Sequence, residues 1–324
     1  MTAVLITVDT ELSALLHQRG ASARANFESS ILGRCQAGDF GVGWQMDVLD
    51  RDGLKGVYFV DPLPALVLGE GVIADVVGMI AARGHDVQLH AHPEWLEWAK
   101  ESPVGGRRGR NMADFPLADQ VALLEYGCGV IERAGVARPV AFRAGNFGAN
   151  DDTLRALAVM GLAWDSSVNA DYLGGDCRIE LAGDRNLPVE LQGVCELPVS
   201  GLHDRARHFR PAQVCAMSRW EMRDTLNHAA KGAHPVATVV THSFEMLSRD
   251  RSRPNRAVMA RFEAMAHFIA KHPALESTTF ATLQREAMTV PDAPRAGPNR
   301  LRTAARIVEQ AIATIRYERK LGRA

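Results

Sequence analysis

The chain has 324 residues, of which 47% are hydrophobic and 23% charged, and its formal net charge is −1. This composition is typical of a soluble globular protein with one large α/β domain or two ordinary ones. A net charge near zero argues against nucleic acid as the main partner, because phosphate binding usually shows as a basic excess. No run of about 18 apolar residues predicts a transmembrane helix.

The N-terminus, "MTAVLITVDTE", has no positively charged segment, and acidic residues follow its apolar run at once. It therefore predicts a first strand rather than a signal peptide, and with it a cytoplasmic location. The cysteines are scattered without a CxxC pair, which indicates reduced thiols rather than a disulfide framework. They are Cys35, Cys128, Cys177, Cys195 and Cys215.

Short apolar runs alternate with longer helical patterns along the chain. The predicted strands cover residues 3–8, 56–60, 86–92, 139–144, 162–167, 195–200 and 236–242. The predicted helices cover residues 40–53, 71–84, 117–133, 150–161, 219–231 and 254–271, with a short capped helix at 278–287. This alternation favours parallel βα units closing into a barrel, with a doubly wound open sheet as the alternative. No GxGxxG or GxxxxGK[ST] motif follows the first strand, which argues against a nucleotide-binding fold.

The C-terminal segment, residues 291–324, is predicted to be a basic helical extension of a domain that covers residues 1–290. Its apolar positions have helical spacing, namely Leu301, Ala305, Val308, Ile312 and Ile315. Its basic residues are Arg300, Arg302, Arg306, Arg316, Arg319, Lys320 and Arg323. We expect a terminal helix packed on the domain, with an oligomer contact or a weak attraction to an anionic membrane surface as alternatives.

Charged or titratable residues stand at the end of five predicted strands. They are Asp9 and Glu11, His90 and His92, Arg143, Asp165, and His242. Any one of them has an ordinary structural explanation, such as a helix cap or a turn. In a parallel barrel, however, the carboxyl ends of the strands converge on the face that carries the active site. The combination therefore favours a catalytic centre.

The spacing within the two pairs indicates metal chemistry, because residues i and i+2 of a strand project to the same side. His90 and His92 can then face one ion, together with one carboxylate of the Asp9 and Glu11 pair. The spare carboxylate could accept a proton from an activated water, and His242 could donate one to a leaving group. His85, at the start of the same strand, is expected to be structural.

The order of these motifs resembles the polysaccharide deacetylase family, also known as the NodB homology domain. The motifs are "TVDTE", "GHDVQLHAH", "FRAGNFG", "WDSS" and "THSFEM", and the match spans residues 3–287. The family consists of carbohydrate esterases that remove N-acetyl groups from glycans. The resemblance implies a distorted (β/α) barrel with about seven parallel strands.

Carried over to this sequence, the resemblance implies a role for each residue at the strand ends. Asp9 would be the general base and His242 the general acid. Arg143 would orient Asp9, and Asp165 would support His242 or Arg143. Glu11 and His90 would be metal ligands, of a divalent ion that is most simply Zn²⁺, with Co²⁺, Ni²⁺ and Mn²⁺ as alternatives.

Two positions depart from the family pattern. The family spaces its metal-binding histidines four residues apart, and here that spacing reaches Glu94. The second ligand is thus His92 or Glu94, and we favour His92 because it shares a strand face with His90 and imidazole suits zinc. Glu11 replaces the more usual aspartate, which leaves the identity of the metal open.

These features predict a metal-dependent hydrolase that removes an N-acyl, and most simply an N-acetyl, group from an amino sugar or glycan precursor. A cytoplasmic location would suit lipopolysaccharide or other surface-polysaccharide biosynthesis. The loop with Trp95, Trp98, Arg107 and Arg108 either covers the sugar or is a plain surface loop. The alternatives are an amidohydrolase for linear or cyclic non-sugar amides and a non-catalytic glycan-binding module.

Overall fold

The computed structural model describes residues 1–181, 185–288 and 290–317. Its strands are β1 Thr2–Thr10, β2 Arg34–Cys35, β3 Gly38–Asp39, β4 Val57–Val60, β5 Asp86–Ala91, β6 Ala141–Ala144, β7 Trp164–Asp165, β8 Val189–Leu191, β9 Val194–Glu196, β10 Gly201–Arg205, β11 His208–Pro211, β12 Val236–His242 and β13 Leu275–Ser277. Its α-helices are α1 Ala14–Gln18, α2 Ala23–Ser30, α3 Val42–Arg51, α4 Ala65–Leu68, α5 Gly71–Ala81, α6 Leu117–Arg133, α7 Asp151–Met160, α8 Arg219–Lys231, α9 Arg256–Lys271 and α10 Arg300–Tyr317.

Among the described residues, nine strands form one curled sheet in the order β12-β1-β4-β5-β6-β7-β9-β8, with β13 paired to the start of β1. The seven strands from β12 to β9 run parallel, and β8 is antiparallel to β9. Successive strands follow one another around the sheet, and the late strand β12 returns beside β1. This is the order of a barrel rather than of a doubly wound sheet, and it confirms the predicted distorted (β/α) barrel.

Apolar side chains fill the interior of the barrel beneath the carboxyl ends of the strands. Phe59 of β4 packs edge-on against Phe280, with ring centroids 5.8 Å apart, and Trp164 of β7 lies 6.0 Å from the same ring. Segment 278–287, predicted as a short helix, instead forms turns and a 3₁₀ helix at Arg285–Met288. The helical prediction is wrong there because Phe280 enters the barrel and its backbone N–H donates to Asp86 Oδ2 at 3.0 Å.

The main helices coincide with the predicted ones, because their apolar periodicity faces the sheet. The sequence patterns did not predict α1 and α2, or the β2–β3 and β10–β11 hairpins. These short elements rest on local bonds rather than on a long periodic pattern. For example, Ser22 caps α2 by accepting from the backbone N–H of Ala25. None of the helices in the described ranges is long and apolar enough to cross a membrane.

The basic C-terminal extension forms α10 up to Tyr317, and Arg319, Lys320 and Arg323 lie outside the described residues. The helix packs on the domain, as predicted, but through its polar face. Arg306 donates to Glu221 Oε1 at 2.9 Å and to Asp204 Oδ2 at 2.6 Å. Both carboxylates are buried, so the inward face of α10 supplies them with a cation that offsets the cost of their burial.

Two glycines near the start of α3 provide a matched test of packing. A Cβ at Gly41 would overlap with the carbonyl oxygen of Ile31, whereas a Cβ at Gly43 would meet nothing within 4 Å. We expect Gly41→Ala to lower the free energy of unfolding by about 1–3 kcal/mol or more, because the added methyl group overpacks the site. Gly43→Ala should stabilise it by roughly 0.5–1 kcal/mol through helix propensity. Urea unfolding measures both, and equal effects of the two substitutions would contradict this assignment.

Candidate active site

Strand register places the predicted residues in adjacent pairs at the carboxyl ends of the sheet. Asp9 of β1 is the register partner of His242 of β12, and His90 of β5 is the partner of Arg143 of β6. Partner residues of parallel strands point to the same side, so each pair projects together. The sheet therefore brings together residues that are as far as 233 positions apart in the sequence.

Arg143 is fully buried and forms an ion pair with Asp9. Its Nη1 donates to Asp9 Oδ1 at 2.6 Å and to Thr7 Oγ1 at 2.8 Å. Its Nε donates to the carbonyl oxygen of Ser166 at 3.1 Å, and its Nη2 donates to the hydroxyl of the same residue. The guanidinium also lies 4.4 Å above the centre of the Phe59 ring. These contacts fix the orientation of the Asp9 carboxylate, the role that the resemblance implies for Arg143.

His242 lies on the other side of Asp9, with its Nε2 3.9 Å from Asp9 Oδ2. Its Nδ1 donates to Glu245 Oε1 at 2.8 Å. Burial lowers the pKa of His242, but the charge of Glu245 and this hydrogen bond outweigh burial and raise the pKa to about 9. At neutral pH the imidazole is therefore protonated.

Glu245 is a site residue that the sequence analysis missed, although it stands within the quoted motif "THSFEM". Its Oε1 also accepts from Gln213 at 2.7 Å, and its Oε2 accepts from the hydroxyl of Thr241 at 2.8 Å. Burial raises the pKa of Glu245, but the His242 charge outweighs burial and keeps the pKa below its usual value. The available signal was the spacing, because Glu245 stands three residues after His242, the last residue of β12.

Glu11, His90 and His92 each direct one ligand atom to a common point, and these atoms lie within 4.8 Å of one another. His90 Nδ1 donates to the carbonyl oxygen of Arg143 at 2.7 Å, which leaves its Nε2 lone pair facing Glu11 at 3.7 Å. A backbone partner of this kind fixes the tautomer of a metal-binding histidine. Glu94 Oε1 lies 4.0 Å from His92 Nδ1, the ring nitrogen that is outside the cluster.

The cluster carries strong electrostatic coupling. Burial lowers the pKa of His92, but the charge of Glu11 and its hydrogen bond outweigh burial and raise the pKa to about 10. Burial raises the pKa of Glu11, but the His92 and His90 interactions outweigh it and hold the pKa well below the usual value. The surroundings of Glu11, His90 and His92 therefore favour a positive charge. A proton on His92 supplies that charge here, and a bound divalent ion would supply it equally well.

The backbone approaches His92 closely at Gly145, which follows β6. A Cβ at Gly145 would lie 2.6 Å from the carbonyl oxygen of Ala91 and 2.7 Å from the His92 ring. Asp61, a second residue that the sequence analysis missed, accepts from the backbone N–H of Leu63 at 3.1 Å and of His92 at 3.4 Å. Burial raises the pKa of Asp61 to about 6. Gly145 and Asp61 thus hold His92 from two sides.

Asp165 lies in the buried layer beneath the pocket rather than on its wall. It accepts from the hydroxyl of Ser167 at 2.7 Å, and that hydroxyl accepts from the backbone N–H of Ala144 at 2.9 Å. Its register partner on β9 is Glu196, and both carboxyl groups are fully buried. Burial raises the pKa of Asp165, and burial with the Asp165 charge raises that of Glu196 well above normal. Burial and the proximity of the two carboxyl groups therefore disfavour the ionisation of both at once.

None of the hydrogen bonds or ion pairs found among the described residues joins Asp165 to His242 or to Arg143. Support from Asp165 to either side chain would thus be indirect. The available route is the backbone, because Asp165 precedes Ser166, whose carbonyl and hydroxyl groups bind Arg143. Asp165 therefore does not bind His242 or Arg143 directly.

The pocket at this end of the sheet has a volume of about 190 Å³. Its wall outside the predicted residues is formed by Arg110, Ala144, Asn146, Phe147, Tyr172, Asp176 and Gln213. Trp95 is fully buried in the core, where it packs against His17 and Trp98, so it does not cover the pocket. Arg107 instead binds Asp119 at 2.6 Å. Of the long arginine-rich loop, Arg110 is the residue that reaches the pocket.

His85 lies at the opposite end of β5, as expected. Its Nδ1 accepts from the backbone N–H of Gly56 at 3.1 Å, and its Nε2 lies 3.3 Å from Asp50 Oδ1. Burial lowers the pKa of His85, which favours the neutral ring that this acceptor role requires. The histidine is structural.

Replacing Glu11 tests the coupling within the cluster. In metal-free protein, Glu11→Gln should lower the pKa of His92 from about 10 toward its usual 6.5, because the favourable negative charge is removed. The imidazole then loses its proton at lower pH. NMR titration of the ring protons measures the change, with His85 as an internal control that should not move. A His92 pKa that stays near 10 would contradict the proximity of the two side chains.

Neither protein-family models nor curated proteins match this sequence. Solved structures do match. A "putative polysaccharide deacetylase" from Mycobacterium smegmatis is 17% identical, with 100% of this chain and 94% of that chain covered and a TM-score of 0.54. The 4-α-glucanotransferase from Thermococcus litoralis is 10% identical, with 92% and 42% covered and a TM-score of 0.52.

A family 4 carbohydrate esterase from Streptomyces lividans, in complex with acetate, is 12% identical. The alignment covers 92% of this chain and 98% of that chain, with a TM-score of 0.43. The Mycobacterium smegmatis structure is matched over the whole length of this chain. The chain therefore has the (β/α) barrel fold of that polysaccharide deacetylase structure, as its sequence motifs predicted.

Proposed function

We propose that this protein is a metal-dependent hydrolase that removes an N-acetyl group from an amino sugar or a glycan. The observation that carries the proposal is the placement of Asp9 and His242 on one pocket with the cluster Glu11, His90 and His92. A carboxylate base, an imidazolium acid and a divalent-ion site are the three parts that amide hydrolysis needs.

The fold by itself does not decide the activity, because a deacetylase and a glucanotransferase structure both share it. The activity must therefore be inferred from the residues at the pocket. A non-catalytic glycan-binding module would have no use for a protonated His242 held beside an oriented carboxylate. The catalytic alternative is thus the better supported one.

Glu11, His90 and His92 would hold the metal. The donor set fits, because two imidazoles and one carboxylate with open positions are typical of catalytic zinc, with Co²⁺, Ni²⁺ and Mn²⁺ as alternatives. When bound, the ion would supply Lewis acidity toward water and the acyl carbonyl oxygen. His92, rather than Glu94, is proposed as the third ligand, because Glu94 lies against the ring nitrogen outside the cluster.

Asp9 would act as the general base. Its Oδ1 is occupied by Arg143, so its Oδ2 is the oxygen left to accept a proton from the attacking water. As this proton leaves, the water oxygen forms the new bond to the acyl carbon, and the π bond of the carbonyl breaks with its electrons moving onto the carbonyl oxygen. These electrons re-form the π bond when the carbon–nitrogen bond breaks. Because the guanidinium holds the carboxylate in place, no side-chain rotation has to precede the transfer.

His242 would act as the general acid. Its Nδ1 proton is engaged by Glu245, so the proton on Nε2 is the one available to the departing nitrogen. As the carbon–nitrogen bond breaks, this proton passes to the amine, and acetate and the free amino sugar are the products. Arg143 and Glu245 are positioning residues in this scheme.

The pocket wall favours a sugar over other amides. The rings of Phe147 and Tyr172 lie 5.0 Å apart and offer an apolar surface, while Asn146, Asp176 and Arg110 offer hydrogen bonds. Aromatic surface beside a few convergent polar groups suits a hydroxylated ring. We propose a cytoplasmic role in surface-polysaccharide or lipopolysaccharide biosynthesis, with a linear or cyclic non-sugar amide as the alternative substrate.

Release of acetate and amine from N-acetylglucosamine oligomers tests the activity. We expect turnover that a chelator abolishes and added Zn²⁺ restores. Asp9→Asn should lower kcat by about 10²–10⁴-fold, the usual contribution of a positioned base. Asp75→Asn, which changes an exposed carboxylate on α5, is the matched control and should be unaffected. Chelator-insensitive turnover or a fully active Asp9→Asn enzyme would refute the mechanism.

The same assay on N-acetylated non-sugar amides and on cyclic ureides separates the two substrate classes. Turnover confined to the ureides or the non-sugar amides would move the assignment to the amidohydrolase alternative.

The pH profile tests the role of Glu245. The acid form of His242 is present below a pKa of about 9 and is lost as the pH rises through that value. Glu245→Gln removes the charge that raises this pKa, so the basic limb of kcat/KM should move to lower pH. A variant that loses rate equally at every pH, with the limb unmoved, would show that Glu245 is merely structural.

A further inference from the structure

The outward face of α10 is apolar and solvent-exposed over the length of the helix. The exposed fraction is 75% for Leu301, 60% for Val308, 52% for Ile312 and 81% for Ile315. These are four of the five positions whose helical spacing predicts an apolar stripe, and Ala305 between them is exposed as well. Contiguous apolar surface of this kind usually marks an interaction site.

The attachment of α10 to the domain does not use this face. On the opposite side, Arg302 donates to Asp224 at 3.2 Å, and Gln310 donates to the carbonyl oxygen of Ala216 at 3.0 Å. Arg306 is held by two buried carboxylates. The apolar stripe is therefore available to a partner while the helix stays in place.

The charges around the stripe have one sign. Arg300 and Arg316 are exposed at its two ends and have no ion-pair partner in the described part of the chain. Glu309, the acidic residue of α10, is bound to Arg261 at 2.6 Å. Apart from the paired Arg302, Arg306 and Glu309, the sequence over residues 300–324 holds five basic residues, Arg300, Arg316, Arg319, Lys320 and Arg323, against Glu318.

This charge distribution decides between two occupants. In an antiparallel pairing of two copies, Arg300 of one helix would lie against Arg316 of the other. The apolar contact would then bring two pairs of like charges together, and their repulsion would weaken the dimer. An anionic lipid surface offers acyl chains to the stripe and phosphates to the flanking cations at once. We propose that α10 is an amphipathic helix that lies in the surface of an anionic membrane and holds the domain there.

This proposal does not depend on the proposed catalytic activity, and its test uses the full chain. Sedimentation with vesicles of phosphatidylglycerol and, separately, of phosphatidylcholine measures binding. We expect binding to phosphatidylglycerol vesicles that weakens with salt, and little binding to phosphatidylcholine. In Ile312→Glu/Ile315→Glu, binding to phosphatidylglycerol should fall by roughly tenfold or more, because the variant loses two isoleucines that would be buried in the bilayer surface and gains two negative charges.

Val159→Glu is the matched control, because Val159 is 70% exposed on α7 and is not part of the stripe. It should leave binding unchanged, and circular dichroism should show all variants folded. Absence of binding to phosphatidylglycerol, equal binding to both lipids, or unchanged binding by the double variant would overturn the proposal. A salt-stable dimer that the double variant dissociates, without vesicle binding, would overturn it in favour of a second copy.

Discussion

The buried ion pair between Arg143 and Asp9 is the interaction on which the site depends. A guanidinium removed from water costs several kcal/mol unless its donors are satisfied. Here the donors reach Asp9 and Thr7 on β1 and Ser166 just after β7, and the flat face lies on Phe59 of β4. One side chain therefore ties four strands together where they end. Asp9 is also the proposed base. The ion pair that stabilises this layer therefore includes the residue that faces the pocket.

Around this pair the charges are arranged as two separate units. His242 and Glu245 form one, in which a carboxylate with several donors keeps the imidazole protonated and fixes its orientation. Glu11 with His90 and His92 forms the other. Asp9 lies between them, with one oxygen bound and one directed to His242. This separation would allow the proposed acid and the proposed base to coexist in one small pocket, since each has its own partner.

The strand-end residues could be predicted from sequence because their signal is local. An apolar run that stops at a charged residue marks the end of a buried strand, and parallel strands end on one face. Asp61 carries the same signal, because it directly follows the apolar run of β4, yet it was missed. Glu196 carries no such signal, since it lies inside a predicted strand and its importance comes from burial beside Asp165. Trp95 is the opposite case, because the composition of its loop left its role open. Its loop is rich in arginine and glycine, yet its indole is part of the core.

The sequence by itself determined the alternation of strands and helices, the parallel barrel and the residues at the carboxyl ends of its strands, because periodicity and strand ends are local properties. Only the tertiary structure decided how those residues pair. It placed Glu245 rather than Asp165 against His242, and it made His92 rather than Glu94 face Glu11. It also turned the apolar stripe of α10 outward, because the opposite face carries Arg306, which pairs with two buried carboxylates.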